Sequence, residues 1–200
     1  MLSIDDLLKV QSKGSNGSDS GGYARFVFPV TPDIVVKLPH NFFTFECIDQ
    51  SWGEYYFYQE LLTPEFERFV PRLYDVAFIP IPDRYLPIAR DLMYDQDLHE
   101  LPVLFVERVA PLSEWHLEEL GFDDIFEIIE LWYGYEVGRE FINDLKNFCR
   151  HTGVVDIYYN ITNWGVNAAG HLVILDLGLN SMNGSPLDAL CMDHYTYSGR

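Results

Sequence analysis

Apolar runs interrupted by prolines predict short strands in the first half of the chain. Residues 23–28 and 34–38 form two such runs, joined by a turn that Pro29 and Pro32 bracket. A polar, glycine-rich segment, residues 12–22, precedes them. Further strands are predicted in the apolar stretches 73–79, 85–89 and 101–109. The first half of the chain is therefore predicted to be rich in strands.

Helical periodicity predicts two helices. The longer signal covers residues 123–151, where apolar side chains recur at helical period and where Gly134 and Gly138 are placed to kink or split the helix. Gly153 follows as the expected C-terminal cap. A shorter, aromatic-rich helix is predicted over residues 51–62, and a Thr-Pro pair ends it.

The segment DIYYNITNWGVNAAGHLVILDLGLN, residues 156–180, joins polar clusters to an apolar run. Turn residues at 167–170 predict a hairpin that brings Asn163 beside Asp176. Amide and carboxylate oxygens suit a hard cation, so this pair is a candidate Mg²⁺ site. A turn aspartate or a helix N-cap at Asp176 is the competing interpretation.

A length of 200 residues fits one domain, or one compact domain of two small lobes. The hydrophobic fraction of 48% and the aromatic fraction of 16% are ample for a core. No apolar run approaches the length that spans a bilayer, and the acidic start MLSIDDLLKV lacks the basic region of a secretory signal. We expect a cytoplasmic protein with reduced, buried cysteines at Cys47, Cys149 and Cys191.

A formal net charge of -18 limits the choice of partners. Such a charge argues against binding to nucleic acids and to anionic membranes. It permits a basic protein partner, or mimicry of a nucleic acid. The acidic residues are spread from Asp5 to Asp193, which favours the simpler interpretation of an acidic cytoplasmic protein.

Lys37 ends the apolar run IVVK, a position where strands usually avoid lysine. An edge or surface lysine is one interpretation. In the other, Lys37 pairs with Glu54 on the shorter predicted helix, and its compact ammonium grips phosphate oxygens. Glycines let a backbone approach phosphates closely, but those of the preceding segment, Gly17, Gly21 and Gly22 among them, do not match GxGxxG.

The order of these features resembles that of the protein kinases, in the small, divergent form found in bacteria and their phages. The resemblance covers roughly residues 12–180, and its most specific parts are IVVKLP, NWGV and VILDLG. It implies an α+β, minimal two-lobed fold. An antiparallel sheet with one helix would form an N-terminal lobe, residues 1–109, and a truncated helical C-terminal lobe would follow, residues 110–200.

The resemblance also implies roles for individual residues. In kinases a strand lysine holds the nucleotide phosphates and pairs with a helix glutamate. A loop asparagine and the Asp-Phe-Gly aspartate bind Mg²⁺, and a loop aspartate accepts the proton of the substrate hydroxyl. By similarity these roles fall, in that order, on Lys37, Glu54, Asn163, Asp176 and Asp156. Backbone groups from Glu107 to Val109 would meet the adenine of ATP, and the glycine-rich segment would cover its phosphates.

Three departures from the kinase pattern bear on catalysis. The kinase catalytic loop reads His-Arg-Asp, four residues, then Asn, and counting back from Asn163 lands on Tyr158. Either an insertion lets Asp156 reach the site or the base is lost, and a rearranged loop makes Asn160 a second candidate ligand. Leu177 replaces the usual Phe. No Ala-Pro-Glu motif follows, so the platform for a peptide substrate is expected to be missing or reduced.

The predicted function is Mg-ATP-dependent phosphoryl transfer to a serine or threonine hydroxyl of a protein. The alternative is a pseudokinase, an acidic binding module that inhibits or scaffolds a protein partner. A third possibility is an acidic mimic of a nucleic acid.

Overall fold

The computed structural model describes residues 25–39, 45–83, 86, 99–112, 125–154, 157 and 161–177. These residues form a mixed α+β structure with antiparallel strands and a few helices, in agreement with the predicted α+β class. The chain divides into two compact units, one of Met1–Gln59 with Arg72–Arg108 and one of Glu60–Pro71 with Val109–Arg200. The lobe boundary drawn at residue 109 from the sequence stays a prediction. In the described ranges, no helix has the length and apolar character needed to cross a membrane.

Four antiparallel strands build the sheet of the first unit, and they are β1 Arg25–Pro29, β2 Ile34–Pro39, β3 Leu73–Pro80 and β4 Glu100–Glu107. Their order is β1-β2-β4-β3, so β2 and β4 lie at the centre. Val36 pairs with Phe105 there, and Lys37 pairs with Leu104. Each strand agrees with one predicted from the sequence, with small differences at the ends.

Prolines and β-branched residues explain the boundaries of β1 and β2. Pro29 and Pro39 end the two strands, because proline has no N–H group to donate to a neighbouring strand. Between them the N–H of Val30 donates to the carbonyl of Ile34 at 2.9 Å, which closes the turn. Six buried apolar side chains of this unit pack into one cluster, formed by Val36, Leu38, Ile79, Ile81, Leu101 and Val103.

Helix α1, Phe45–Tyr56, packs against β2 and β4, and a π-helical turn, Phe57–Leu61, continues it. The predicted helix began later, at residue 51, because the stretch FECIDQ holds aromatic, β-branched and acidic residues of modest helix propensity. Packing on the sheet outweighs that weakness. Trp52, Tyr55 and Phe78 form an aromatic cluster between the helix and β3, with ring centroids 5.5–6.1 Å apart.

The long helical signal resolves into two helices in the second unit. Helix α2 spans Ile125–Tyr133 and helix α3 spans Tyr135–Thr152. Gly134 separates them at φ 80°, a left-handed backbone that favours glycine, so the predicted split occurs there. Gly153 ends α3 as predicted, with φ 76°, and its N–H donates to the backbone carbonyl of Cys149.

A small three-stranded antiparallel sheet lies in the same unit, formed by β5 Ala110–Pro111, β6 Trp164–Val166 and β7 Leu172–Ile174. The order is β5-β6-β7. Strands β6 and β7 form the hairpin expected from the turn residues, and Trp164 pairs with Ile174 across it.

Aromatic rings fill the core beside α3. Phe69, in a short 3₁₀ turn, packs against Phe141 and Phe148 of the helix with ring centroids 5.0 and 5.3 Å apart. The guanidinium of Arg68 lies 4.8 Å from the centroid of the Phe69 ring and pairs with Asp144. This cation–π contact and ion pair close the aromatic core at its edge.

Two remaining predictions are only partly within the described residues. Of the strand predicted at 85–89, only Leu86 is described, and its backbone is helical. Of the three cysteines, Cys149 is buried as expected, and the side chains of Cys47 and Cys191 lie outside the described part.

Candidate functional site

Lys37 and Glu54 form a buried ion pair in the first unit. Lys37 Nζ lies 2.6 Å from Glu54 Oε1, and the two side chains are 7% and 1% exposed. Lys37 belongs to β2, which has β1 on one side and β4 on the other. An edge or surface position is therefore excluded for this lysine. The predicted contact with the helix glutamate is present, and its role toward a nucleotide stays a prediction.

The local sequence explains how a charge comes to be buried here. Side chains alternate between the faces of a strand, so Lys37 points away from the face where Val36 and Leu38 join the apolar cluster. Helix α1 lies against β2 and β4 and carries Glu54. Burying either charge alone is costly, whereas the short bond between opposite charges offsets part of that cost. The pair therefore holds the lysine ammonium at a defined place.

The backbones of Asn163 and Leu175 meet at the open end of the β6–β7 hairpin. The N–H of Leu175 donates to the carbonyl of Asn163 at 2.7 Å, one position beyond the last strand pair. Asp176 follows directly, and the side chains of Asn163 and Asp176 are half-buried. The hairpin thus brings the backbone of Asn163 next to the residue before Asp176, as expected from the predicted hairpin. The role of Asn163 and Asp176 as metal ligands stays a prediction.

The hairpin turn is stabilised by its own asparagine. Asn167 Oδ1 accepts hydrogen bonds from the N–H groups of Ala169 and His171, at 3.1 and 2.9 Å. Gly170 adopts φ 80°, which a residue with a side chain rarely adopts. These bonds set the register of β6 against β7, and the register decides which residues stand next to Asp176.

Two buried apolar side chains flank the candidate metal ligands. Trp164 follows Asn163, is 0% exposed, and donates from Nε1 to the carbonyl of Ile157 at 2.6 Å. Leu177 follows Asp176 and is 1% exposed. Leucine at this position thus anchors the chain after the aspartate, where the kinase pattern has Phe.

The donor set fits Mg²⁺ by chemistry. Mg²⁺ binds through one or two carboxylates together with water and substrate phosphates, so an Asp with a neighbouring amide oxygen matches its preference. Within the described part of the chain, no group of three or more His, Cys, Asp or Glu is arranged to hold a metal ion. Asn163 and Asp176 stay the predicted ligands for Mg²⁺.

Two aromatic residues at the end of α2 hold the hairpin, and sequence reasoning missed this role. Trp132 Nε1 donates to the carbonyl of Gly170 at 2.9 Å, and the N–H of Leu172 donates to Tyr133 Oη at 2.9 Å. The Tyr133 ring stacks on Phe141 of α3, with centroids 4.9 Å apart. Helix α2 thereby positions the turn and the start of β7. The only indication of this role in the sequence was a pair of adjacent aromatic residues, each with a polar group, at the end of a predicted helix.

Replacing Tyr133 by Phe is expected to lower the free energy of unfolding by about 1–3 kcal/mol, because the buried N–H of Leu172 loses its acceptor. The ring stack on Phe141 is kept. Urea unfolding at neutral pH measures the loss. Tyr135→Phe, at an exposed tyrosine, is the matched control and should change stability by less than about 0.5 kcal/mol.

The same pair of variants tests the ionisation of the Tyr133 hydroxyl. Burial raises the pKa of Tyr133 above its ordinary value of 10.0, while the Leu172 N–H and the charge of Arg68 lower it by less. Above pH 10 the unfolded chain releases this proton before the folded chain does, so wild-type stability falls as pH rises. The difference in free energy of unfolding between the native chain and Tyr133→Phe should therefore become smaller at alkaline pH. A deficit independent of pH would contradict this reasoning.

Gly165, in the NWGV stretch, allows β6 to approach β5 closely. A Cβ added at Gly165 would lie 2.5 Å from Val109 Cγ1 and 2.7 Å from the carbonyl oxygen of Ala110. Only glycine fits this gap without a shift of the neighbouring backbone. This close approach places β5, which follows Val109, directly against β6, which follows Asn163.

The structure restricts the predicted contact between adenine and the segment from Glu107 to Val109. The N–H of Glu107 donates to the carbonyl of Arg72, and the N–H of Arg108 donates to that of Asp33, both at 2.8 Å. The Glu107 carboxylate also accepts from the N–H of Arg72 at 3.3 Å. These two N–H groups are therefore already bonded within the fold. An adenine contact through Val109 stays a prediction.

The remaining predicted site residues lie outside the described residues. They are Gly17, Gly21, Gly22, Asp156 and the second candidate ligand Asn160.

Comparison with known proteins identifies no family for this chain. No protein-family model matches it, and no curated protein matches it significantly.

Proposed function

We propose that this chain is a minimal protein-kinase-like phosphotransferase with two lobes, which transfers the terminal phosphoryl group of Mg-ATP to a protein hydroxyl. The observation that carries the proposal is the buried ion pair between Lys37 and Glu54. Well-packed apolar residues often replace a buried ion pair without loss of stability, so stability alone does not explain why these charges are kept. Buried pairs of opposite charge are found at many functional sites.

The residues take the following roles in this proposal. Lys37 binds the nucleotide phosphates, and Glu54 holds its ammonium in place. Asn163 and Asp176 hold Mg²⁺, which supplies charge stabilisation for the transferring phosphoryl group. Asp156 accepts the proton of the acceptor hydroxyl. A bond forms between that oxygen and the γ-phosphorus, the bond from phosphorus to the bridging oxygen breaks, and ADP leaves with its electron pair.

Thermal unfolding with and without Mg-ATP tests the nucleotide site. A ligand present at 100 times its dissociation constant stabilises the folded state by about 2.7 kcal/mol. Each kcal/mol raises the Tm of a domain of this size by about 2–4 °C. We expect a Mg²⁺-dependent rise in Tm for the native chain and its loss in Asp176→Ala. Asp83→Ala, at an exposed carboxylate of the first unit, should keep the rise.

Two outcomes would contradict this proposal. The first is an unchanged Tm of the native chain at millimolar Mg-ATP. The second is an equal rise in Tm for the native chain and Asp176→Ala, which would show that the nucleotide binds without the predicted metal ligand.

The acidic binding module is a second candidate, and one feature of the chain favours it. Val154 and Val155 precede Asp156, where a kinase has His-Arg, and Val154 is 1% exposed. A buried valine cannot make the polar contacts of a catalytic-loop histidine. The formal charge of -18 suits a basic protein partner. In this case the nucleotide site would be absent or would not support transfer.

A further inference from the structure

The β6–β7 hairpin lies between the two predicted Mg²⁺ ligands and is too short to hold its own position. Each strand has three residues, and β5 adds only two residues beside β6. A hairpin of this size is at best marginally stable by itself. Among the described strands, β7 has a neighbour on one side only. The place of Asp176, two residues beyond β7, therefore depends on what else holds this strand.

Helix α2 supplies two hydrogen bonds to the turn half of the hairpin. The N–H of Leu172, the first residue of β7, donates to Tyr133 Oη at 2.9 Å. Trp132 Nε1 donates to the carbonyl of Gly170, also at 2.9 Å. Because Leu172 is fully buried, water does not readily replace the tyrosine hydroxyl as an acceptor. The last turn of α2 thus fixes residues 170–172.

The tyrosine that accepts this bond is itself held in place. The Tyr133 ring stacks on Phe141 of α3, with centroids 4.9 Å apart and an angle of 27° between the planes. Phe141 packs against Phe69 with centroids 5.0 Å apart, and the 3₁₀ turn that contains Phe69 also contacts β7. A hydroxyl on a packed ring has little freedom to move, so it gives Leu172 a fixed partner. Tyr133 therefore connects β7 to the aromatic core beside α3.

We propose that Tyr133 is a positioning residue for the Mg²⁺ site, an inference that rests on the proposed function. Tyr133 fixes Leu172 at the turn end of β7, and the bond from the Leu175 N–H to the carbonyl of Asn163 closes the other end. Mg²⁺ demands near-ideal octahedral geometry, so its affinity depends on how firmly its ligands are held. The role is indirect, because the hydroxyl bonds to the backbone of the strand and not to a metal ligand.

Titration of nucleotide binding with Mg²⁺ tests the proposal. The probe is a fluorescent ATP analogue, and its anisotropy with the full chain is followed as Mg²⁺ is added, at a temperature where each variant is folded. We expect Tyr133→Phe to need roughly three- to tenfold more Mg²⁺ for half-maximal binding, near the lower limit for groups bonded directly to metal ligands. Binding of the analogue without Mg²⁺ should equal that of the native chain, because Lys37 is unchanged.

The matched control lowers stability but keeps both hydrogen bonds to the hairpin. Ile128→Val with Ile129→Val shortens two buried side chains of α2, and its expected loss of stability is similar to that of Tyr133→Phe. This control should need as much Mg²⁺ as the native chain. Hydrogen exchange supplies a second readout, because the Leu175 amide should exchange faster in Tyr133→Phe than in the control.

The possible outcomes separate this inference from the proposed function. Absence of Mg²⁺-dependent binding by the native chain would overturn both. Mg²⁺-dependent binding that is equal in the native chain and in Tyr133→Phe would overturn the positioning role alone. A control that needs as much additional Mg²⁺ as Tyr133→Phe would also overturn it, because general destabilisation would then explain the change.

Discussion

The Lys37→Met variant is expected to have a free energy of unfolding about 3–5 kcal/mol below that of the native chain. The reason is that the buried Glu54 carboxylate loses the ammonium group bonded to it. Lys37 lies in a central strand, where the sheet leaves little room for water to replace the lost charge. Urea unfolding at neutral pH measures the difference. Lys146→Met, at a half-buried lysine of α3, is the matched control and should change stability by about 0.5 kcal/mol or less.

The double variant Lys37→Met with Glu54→Leu separates a structural role from a functional one. Replacing both charges by apolar groups should recover most of the lost stability. The Mg-ATP-dependent rise in Tm should nevertheless be missing, because no ammonium remains to bind phosphate. Native-like stability of Lys37→Met alone would contradict the energetic argument. A double variant that is stable and still responds to Mg-ATP would remove Lys37 from the nucleotide site.

Asp156→Asn is expected to lower the rate of phosphoryl transfer by about 10²–10⁴, the usual contribution of a positioned general base. The amide keeps the size of the side chain but cannot accept the hydroxyl proton. Because this substitution leaves Lys37, Asn163 and Asp176 unchanged, the Mg-ATP-dependent rise in Tm that we propose should persist. A radioactive transfer assay on a generic basic protein, with the native chain alongside, measures the rate.

Asn160→Ala is the informative companion to Asp156→Asn, because Asn160 is the second candidate metal ligand if the loop that carries Asp156 is rearranged. Transfer unaffected by Asp156→Asn but abolished by Asn160→Ala would show that the loop is rearranged. A native chain that gains Tm with Mg-ATP yet transfers no phosphate would favour the acidic binding module. Partner binding should then survive both substitutions.

The elements foreseen from the sequence are those whose signals are local. Prolines 29 and 39 mark the ends of two strands, and Gly134 marks the break between helices, because each acts through its own backbone. The start of α1 was missed, since packing on the sheet and not propensity holds its first turns. Sequence patterns indicate the conformation that a residue prefers by itself. They say little about the packing contacts that a neighbouring element supplies.

Some features of the candidate site were likewise predicted from the sequence, and others were not. The pairing of Lys37 with Glu54 was one of two interpretations drawn from the sequence, but the degree of burial depends on β4, a strand distant in the chain. The bonds from Trp132 and Tyr133 to the hairpin were not foreseen, because they join a helix end to backbone groups nearly forty residues later. Such long-range hydrogen bonds have no period or spacing in the sequence.

The strand order β1-β2-β4-β3 has a consequence for folding of the chain during its synthesis on the ribosome. Strand β2 acquires its second neighbour only when β4 has been synthesised, many residues after β2 itself. At roughly 5–20 residues per second, several seconds pass in which the nascent β1–β2 hairpin exposes an unpaired edge. During that interval the buried lysine and the valines beside it face water and other nascent chains.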